Sequence, residues 1–173
     1  MKIISNTLTE QKIREISKIK EEPSWMTDFR VSAFHKFEEL PQPSFGPTLD
    51  IDFDLFTYYK KMTEKQVDNW QKVDKNIKDT FDKIGLIEAE KKYLGGVGAQ
   101  FESEVVYHNM IEELEKKNVI FCDTDTALKK YPELFKKYFN HLVKMDENKY
   151  TALNGCVWSG GTFIYVPPNT TID

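Results

Sequence analysis

The residues of this chain whose types could do chemistry are an acid/imidazole set, a pair of cysteines and two glycine clusters. Glu102, Glu104 and His108 stand at even spacing in the run 98–108, which reads as extended, with Val105, Val106 and Tyr107 as its β-prone part. On a strand, residues two apart share a face, so both carboxylates and the imidazole would line one side. Such a set could relay protons or supply part of a metal site. No second His or Cys lies at ligand spacing, and a solvated, salt-bridged strand face is the preferred reading. Cys122 ends an apolar run, and Cys156 sits among Leu153, Val157 and Trp158. A metal–sulfur centre normally takes about four thiolates, and no Cys-x-x-Cys occurs. Both cysteines therefore read as small core side chains. With the acid/imidazole set they are the weak metal candidates, and no catalytic set emerges. His35 and His141 are isolated and read as structural.

The glycines point the same way. Gly95-Gly96-Val97-Gly98 invites a phosphate-loop reading. A phosphate cradle needs strand, glycine loop and then a helix N-terminus, whose free N–H groups face the anion. Here the glycines follow a predicted helix and precede an extended run, and no Gly-Lys-Ser/Thr is present. Helix termination fits better. Gly160-Gly161 reads as a turn. There is no Gly-x-Ser-x-Gly elbow.

The elements that must position these residues are short. Residues 8–20 predict a helix, capped by Thr9, with Ile13, Ile16 and Ile19 at helical spacing. Pro23 opens a second helix carrying Trp25, Phe29, Ala33 and Phe37 four apart, with Met26 and Phe34 widening the stripe. Arg30, His35, Lys36, Glu38 and Glu39 are placed toward water or the rim. Pro41, Pro43, Gly46 and Pro47 exclude helix and make an arm that Phe45 could anchor. Residues 50–59 are ambiguous between strand and helical turn, and 60–70 read as exposed. Asp74 caps a helix over 75–84, ended by Gly85, and another short helix spans 88–94. Further on come a helix over 110–117 with Asn118 behind it, a strand over 119–122 and a helix to Lys130. Pro132 restarts a helix to about His141, and 145–149 form a polar turn. The run 151–158 reads as a short apolar turn, followed by a strand over 162–166 that Pro167 stops. Little chain follows to supply that strand with partners, so most of its sheet is expected to be missing.

Composition narrows the class. At 173 residues, with 40% apolar and 13% aromatic content, the chain can bury a core of large flat side chains. A net charge of -4 opposes a nucleic-acid protein relying on a basic face, and an anionic membrane surface. No apolar run approaches the roughly 20 residues of a membrane-spanning helix. Residues 1–6 show no signal-peptide character, and two cysteines make no disulfide framework, which fits a reducing compartment.

Several blocks nevertheless resemble the N-terminal part of SufB-type members of the SufB/SufD family of iron–sulfur cluster assembly proteins. They include Ser17-Lys-Ile-Lys-Glu-Glu-Pro-Ser-Trp-Met26, Ile51-Asp52-Phe53, Ile77-Lys-Asp-Thr-Phe-Asp-Lys-Ile-Gly85 and Val119-Ile-Phe-Cys-Asp123. The longest are Gly95-Gly-Val-Gly-Ala-Gln-Phe-Glu-Ser-Glu-Val-Val-Tyr-His-Asn109 and Ala152-Leu-Asn-Gly-Cys-Val-Trp-Ser-Gly-Gly-Thr-Phe-Ile-Tyr-Val-Pro167. The resemblance implies an α+β chain: a mostly helical domain over 1–149, then, over 150–173, the first strand or strands of a truncated right-handed parallel β-helix. It implies a scaffold component, not an enzyme, that works with a SufC-like ATPase, a SufD-like paralogue and a cysteine desulfurase as sulfur source. An iron–sulfur cluster, and in some complexes reduced flavin, belongs to the full-length assembly and would not be bound by this fragment. A cytoplasmic or plastid setting follows. The resemblance passes no cluster role to Cys122 or Cys156. A free-standing module that docks partners by the open edge of strand 162–166 is the alternative.

Overall fold

The computed structural model describes residues 2–47, 49–61, 67, 69–84, 96–110 and 112–172. The fold is α+β, built from helices and small antiparallel sheets. It divides into two compact units, one of Lys2–Lys60 with Leu128–Ser159, the other of Lys61–Ala127 with Gly160–Asp173 and Met1.

The first unit holds β1 (Lys2–Ser5), α1 (Glu10–Lys20), α2 (Ser24–Glu39) and β2 (Thr57–Lys61), and later α6 (Pro132–Tyr138) and α7 (Lys149–Val157). Thr9 caps α1 as expected, its hydroxyl accepting from Lys12 N at 3.3 Å. Ile13 and Ile16 of α1, Ala33, Phe34 and Phe37 of α2, Tyr58 and Tyr59 of β2, and Ala152 and Cys156 of α7 form one core. Residues 50–59 resolve into a 3-10 turn, Phe53–Leu55, followed by β2. Helix α6 stops at Tyr138, short of His141.

Three expectations fail here. Residues 151–158 are no turn, because α7 starts at Lys149. The Asn148 side chain accepts from Tyr150 N at 2.9 Å and Thr151 N at 3.1 Å, and Thr151 Oγ1 accepts from Asn148 N at 3.0 Å. That reciprocal cap satisfies the orphan donors that start a helix. Phe45 does not anchor its arm, since it is 67% exposed. Arg30 does not face water and is 0% exposed.

Arg30 is buried because it ends another helix. Its Nη1 donates to Cys156 O at 3.0 Å and its Nη2 to Trp158 O at 2.9 Å, both carbonyls at the C-terminus of α7. Lys149, at the start of α7, donates to Phe37 O at 2.6 Å and Leu40 O at 3.2 Å, at the C-terminus of α2. The two antiparallel helices thus cap each other with cations where the carbonyls and the dipole are unsatisfied.

The second unit holds α3 (Lys75–Ile84), β3 (Gly96–Phe101), β4 (Glu104–Met110), α4 (Glu112–Lys116), β5 (Ile120–Asp123) and β6 (Thr162–Tyr165). The helix α5 (Thr124–Lys130) begins in it. Asp74 caps α3, accepting from Asn76 N at 2.9 Å. Trp70, Val73, Ile77, Val97, Ala99 and Val106 form its core. The run 98–108 is not one strand. β3 and β4 pair antiparallel around a tight turn at Glu102, with Phe101 opposite Glu104 and a register shift between Ala99 and Gln100. Glu102 has φ 54. Strand β4 continues through Met110, which shortens α4 at its start; Asn118, with φ 57, follows α4 as expected. Strand β6 pairs antiparallel with β5, with Cys122 opposite Phe163. It therefore has a partner from upstream in the chain, and no parallel β-helix is evident among the described residues. The helix expected over 88–94, with Gly85 and Gly95, lies outside the described residues.

Candidate functional site

The residues singled out from the sequence do not converge. Glu102 occupies the β3–β4 turn with φ 54, so the strand alternation that aligned it with Glu104 and His108 is broken there. Glu104 and His108 are backbone positions on β4, opposite Phe101 and Gly98. Cys122 lies on β5 in one unit and Cys156 on α7 in the other. Both are buried and in no disulfide. His35 sits on α2 with Nε2 3.5 Å from Glu10 Oε2, and the His141 ring bonds the Phe139 carbonyl at 3.0 Å. Among the described residues, no group of three or more His, Cys, Asp or Glu could hold a metal ion.

What the second unit does assemble is a small cleft of mixed polar and apolar lining beside Cys122. It is lined by Gly98, Gln100, Val105, Phe121, Cys122, Asp123, Gly161 and Thr162. Gly161 forms part of its wall. Gly161 N donates to Gln100 Oε1 at 3.1 Å, Thr124 Oγ1 donates to Gly160 O at 2.6 Å, and Thr124 N donates to Gly161 O at 3.2 Å. Gly160 and Gly161 have φ +64 and +112, and a Cβ at Gly160 would lie 2.6 Å from Gln100 Cδ. The φ of +112 at Gly161 is one that side-chain-bearing residues rarely adopt, and a Cβ at Gly160 would have to displace the Gln100 amide. Asp123 is committed to capping α5, accepting from Thr126 N at 2.8 Å and Thr126 Oγ1 at 2.5 Å. The cleft measures about 30 Å³. That is room for a water or two, far below the roughly 300 Å³ at which small-molecule pockets begin.

In the first unit, burial pushes the Cys156 thiol up to about 12, against the lowering influence of Arg30. Its Sγ donates to Leu153 O at 3.2 Å. The thiolate is the nucleophile, so this cysteine is inert at neutral pH. Burial also raises Tyr58 to about 12, and its hydroxyl donates to Phe53 O. The sign of the pH dependence follows. The folded state keeps the Cys156 proton, while the unfolded chain releases it near the ordinary 9. Stability therefore falls as pH rises from about 9 to about 12, by at most about 1.4 kcal/mol per pH unit for this group. Urea unfolding at pH 8 and pH 10.5 should show a smaller alkaline loss for Cys156→Ala than for the parent. Equal losses would exclude the thiol as the cause.

Among the described residues, fold and geometry thus give an α+β chain with buried cores, a buried thiol and a water-sized cleft. The sequence comparisons agree with its resemblance. Residues 97–173 match the family model described as "SufBD protein N-terminal region". Across 167 residues, 96% of this chain, it is 56% identical to the iron–sulfur cluster assembly SufBD family protein of Staphylococcus haemolyticus. The corresponding figures are 55% for the Staphylococcus epidermidis protein and 54% for that of Staphylococcus aureus strain USA300. The chain spans 36% of the length of each of these relatives. Among the described residues, no helix is long and apolar enough to cross a membrane.

Sequence reasoning missed Arg30, a fully buried charge. One signal was available: an arginine two turns from the helix start, after Glu22 and Pro23, inside an otherwise apolar stripe.

Proposed function

We propose that this chain is the N-terminal part of a SufB-type scaffold protein for iron–sulfur cluster assembly, and that it is not itself catalytic. The observation that carries the reading is the 54–56% identity to SufBD family proteins named for that assembly, over 96% of the chain. The chemistry of the chain's own thiols supports the second half. Cys156 is held protonated, and Cys122 borders a cleft that admits no more than water or two. A cluster, too large for that cleft, would then be held by residues outside this chain, with a SufC-like ATPase, a SufD-like paralogue and a cysteine desulfurase as partners. In this reading residues 1–149 form the accessory domain, and 150–173 lead into a parallel β-helix, with β6 offering its second edge to the next strand. The setting is a cytoplasm or a plastid.

Anaerobic mixing of the chain with ferrous iron, sulfide and reductant, followed by desalting, tests the non-catalytic half. No stable visible charge-transfer absorption should remain. A retained cluster in stoichiometric amount overturns it.

One observation favours a second reading, a free-standing module that docks a partner by strand addition. Ile164, on β6, is 61% exposed in a two-stranded sheet. Unpaired strand edges are ready templates for such pairing. Capture of the SufD-like or SufC-like partner by this chain, abolished by Ile164→Pro, would support it; retention of capture would exclude the β6 edge.

A further inference from the structure

We propose that Asn154-Gly155 is a modification site, a deamidation site that helix α7 holds closed and that the Arg30 cap keeps from opening. The inference does not rest on the scaffold reading.

Asn154 is the only asparagine of the chain followed by glycine; the others precede Thr, Trp, Ile, Met, Val, His or Lys. Glycine brings no side chain to obstruct its own amide nitrogen, and its backbone turns freely. In an opened chain the Gly155 nitrogen can therefore reach Cγ of Asn154. The N–Cγ bond forms, the Cγ–Nδ2 bond breaks, and Nδ2 leaves as ammonia with the Gly155 amide proton. The five-membered imide that remains takes up one water at either of its carbonyls. One opening gives aspartate and the other isoaspartate. Water is the only co-reactant, and no group is oxidised or reduced.

The fold both creates this pair and closes it. Packing imposes the glycine, since a Cβ at 155 would lie 3.0 Å from Ala33 Cβ and 3.2 Å from Met145 Cβ. Asn154, one position earlier, is exposed, and among the described residues no hydrogen bond holds its side-chain amide. Other asparagine side chains are tied. Asn140 Nδ2 donates to Val143 O at 2.9 Å, and Asn148 Oδ1 accepts from Tyr150 N at 2.9 Å. Within α7 the reaction is blocked twice. A helical ψ near about −42° keeps the Gly155 nitrogen out of the plane that ring closure needs. Its N–H is also engaged by the carbonyl four residues back.

The gate is the last turn of α7. Asparagine and glycine are poor helix formers, so the helix is weak where the pair stands. Trp158 N donates to Asn154 O at 2.8 Å, and Arg30 holds Cys156 O at 3.0 Å and Trp158 O at 2.9 Å. Helix ends open locally at less cost than the whole fold. This end cannot unwind until the Arg30 bonds break. The product does not close again as before. Aspartate places a charge at the negative end of the helix. Isoaspartate adds a carbon to the main chain, which shifts Gly155 off Ala33 and the Cys156 carbonyl off Arg30. Deamidation therefore records how often this end has opened.

Timed incubation of the 173-residue chain in mildly alkaline buffer, with peptide mapping by mass spectrometry, is the test. In denaturing guanidinium chloride, Asn154 should deamidate before any other asparagine. In native buffer its rate should fall about tenfold or more. Glu22→Leu/Arg30→Leu lacks the cap without stranding a carboxylate. While folded by circular dichroism, it should react at Asn154 about tenfold faster than the parent, since tenfold is only about 1.4 kcal/mol of opening cost. The parent alone supplies a second reading that needs no variant. Its Asn154 rate should climb at denaturant concentrations below the unfolding transition, because the helix end opens before the rest. Equal rates in the folded and unfolded parent overturn the proposal. So does a folded double variant that reacts at the parent's rate, or a parent whose rate rises only with global unfolding.

Discussion

Replacing Arg30 with leucine should destabilise the chain by about 3–5 kcal/mol, the scale for breaking a buried ion pair from one side. The guanidinium and the Glu22 carboxylate are both 0% exposed, and they meet through two bonds, Nε to Oε2 at 2.7 Å and Nη2 to Oε1 at 2.6 Å. Leucine supplies apolar volume but leaves a carboxylate without its counter-ion. It also leaves the Cys156 and Trp158 carbonyls without donors, at the negative end of α7. The guanidinium further lies over the Trp158 ring, with Cζ 4.6 Å from the centroid. That contact adds about 1 kcal/mol or more when desolvated. Urea unfolding followed by circular dichroism measures the loss. The double variant Glu22→Leu/Arg30→Leu separates the terms. Removing both charges should recover more than half the loss, because an apolar pair often replaces a buried ion pair at little cost. What remains belongs to the two carbonyls. A single Arg30→Leu variant within 1 kcal/mol of the parent would show that the pair contributes nothing beyond its own desolvation cost.

Arg30 also marks where the sequence stops being informative. The helices α1, α2 and α3 are legible because their signals are local. Thr9 and Asp74 cap within three residues, and the Ile13/Ile16 and Phe37 stripes repeat at the helical period. Asn118 and the Gly160-Gly161 pair declare left-handed backbone by residue type. What failed depends on distant partners or on local residue types that are unusual for the structure they adopt. Arg30 is polar by composition, and only the end of α7, 126 positions away, makes it a buried cap. Helix α7 reads as a turn because Asn154 and Gly155 are poor helix formers. The Asn148 cap and the packing against α2 override that propensity. The β3–β4 hairpin was hidden because Glu102-Ser103 is not a typical turn pair, and Glu102 must adopt φ 54 without glycine. The acid/imidazole set depended on counting alternation through that turn. For the site, the sequence offered residue types without convergence, and the cleft around Cys122 needed the pairing of β5 with β6, whose partners lie about 40 positions apart.

Gly155→Val should destabilise the chain by about 1–3 kcal/mol, the usual cost of overpacking a closed core. The reason is the approach of α2 to α7. A Cβ at position 155 would lie 3.0 Å from Ala33 Cβ and 3.2 Å from Met145 Cβ, with Phe29 Cε1 at 3.7 Å. Two of these neighbours are themselves Cβ atoms, fixed to the backbone, so no rotamer change relieves them. Elsewhere in a helix, alanine gains about 0.5–1 kcal/mol over glycine. Here that gain is set against the contact with Ala33, so Gly155→Ala should end close to the parent or below it. Valine adds two further carbons and a β-branch in the same space. Helices held this close would have to separate, which would pull Arg30 from the α7 carbonyls and Lys149 from those of α2. The cycle with Ala33→Gly isolates the contact. Removing the opposing Cβ costs about 1 kcal/mol by itself, yet it should make Gly155→Val milder, with a coupling of at least 0.5 kcal/mol of the kind that contacting residues show. Additive losses in that cycle would mean that α2 and α7 do not meet at Ala33 and Gly155. A coupled pair would place the closest approach of the two helices there, one turn from the Arg30 cap.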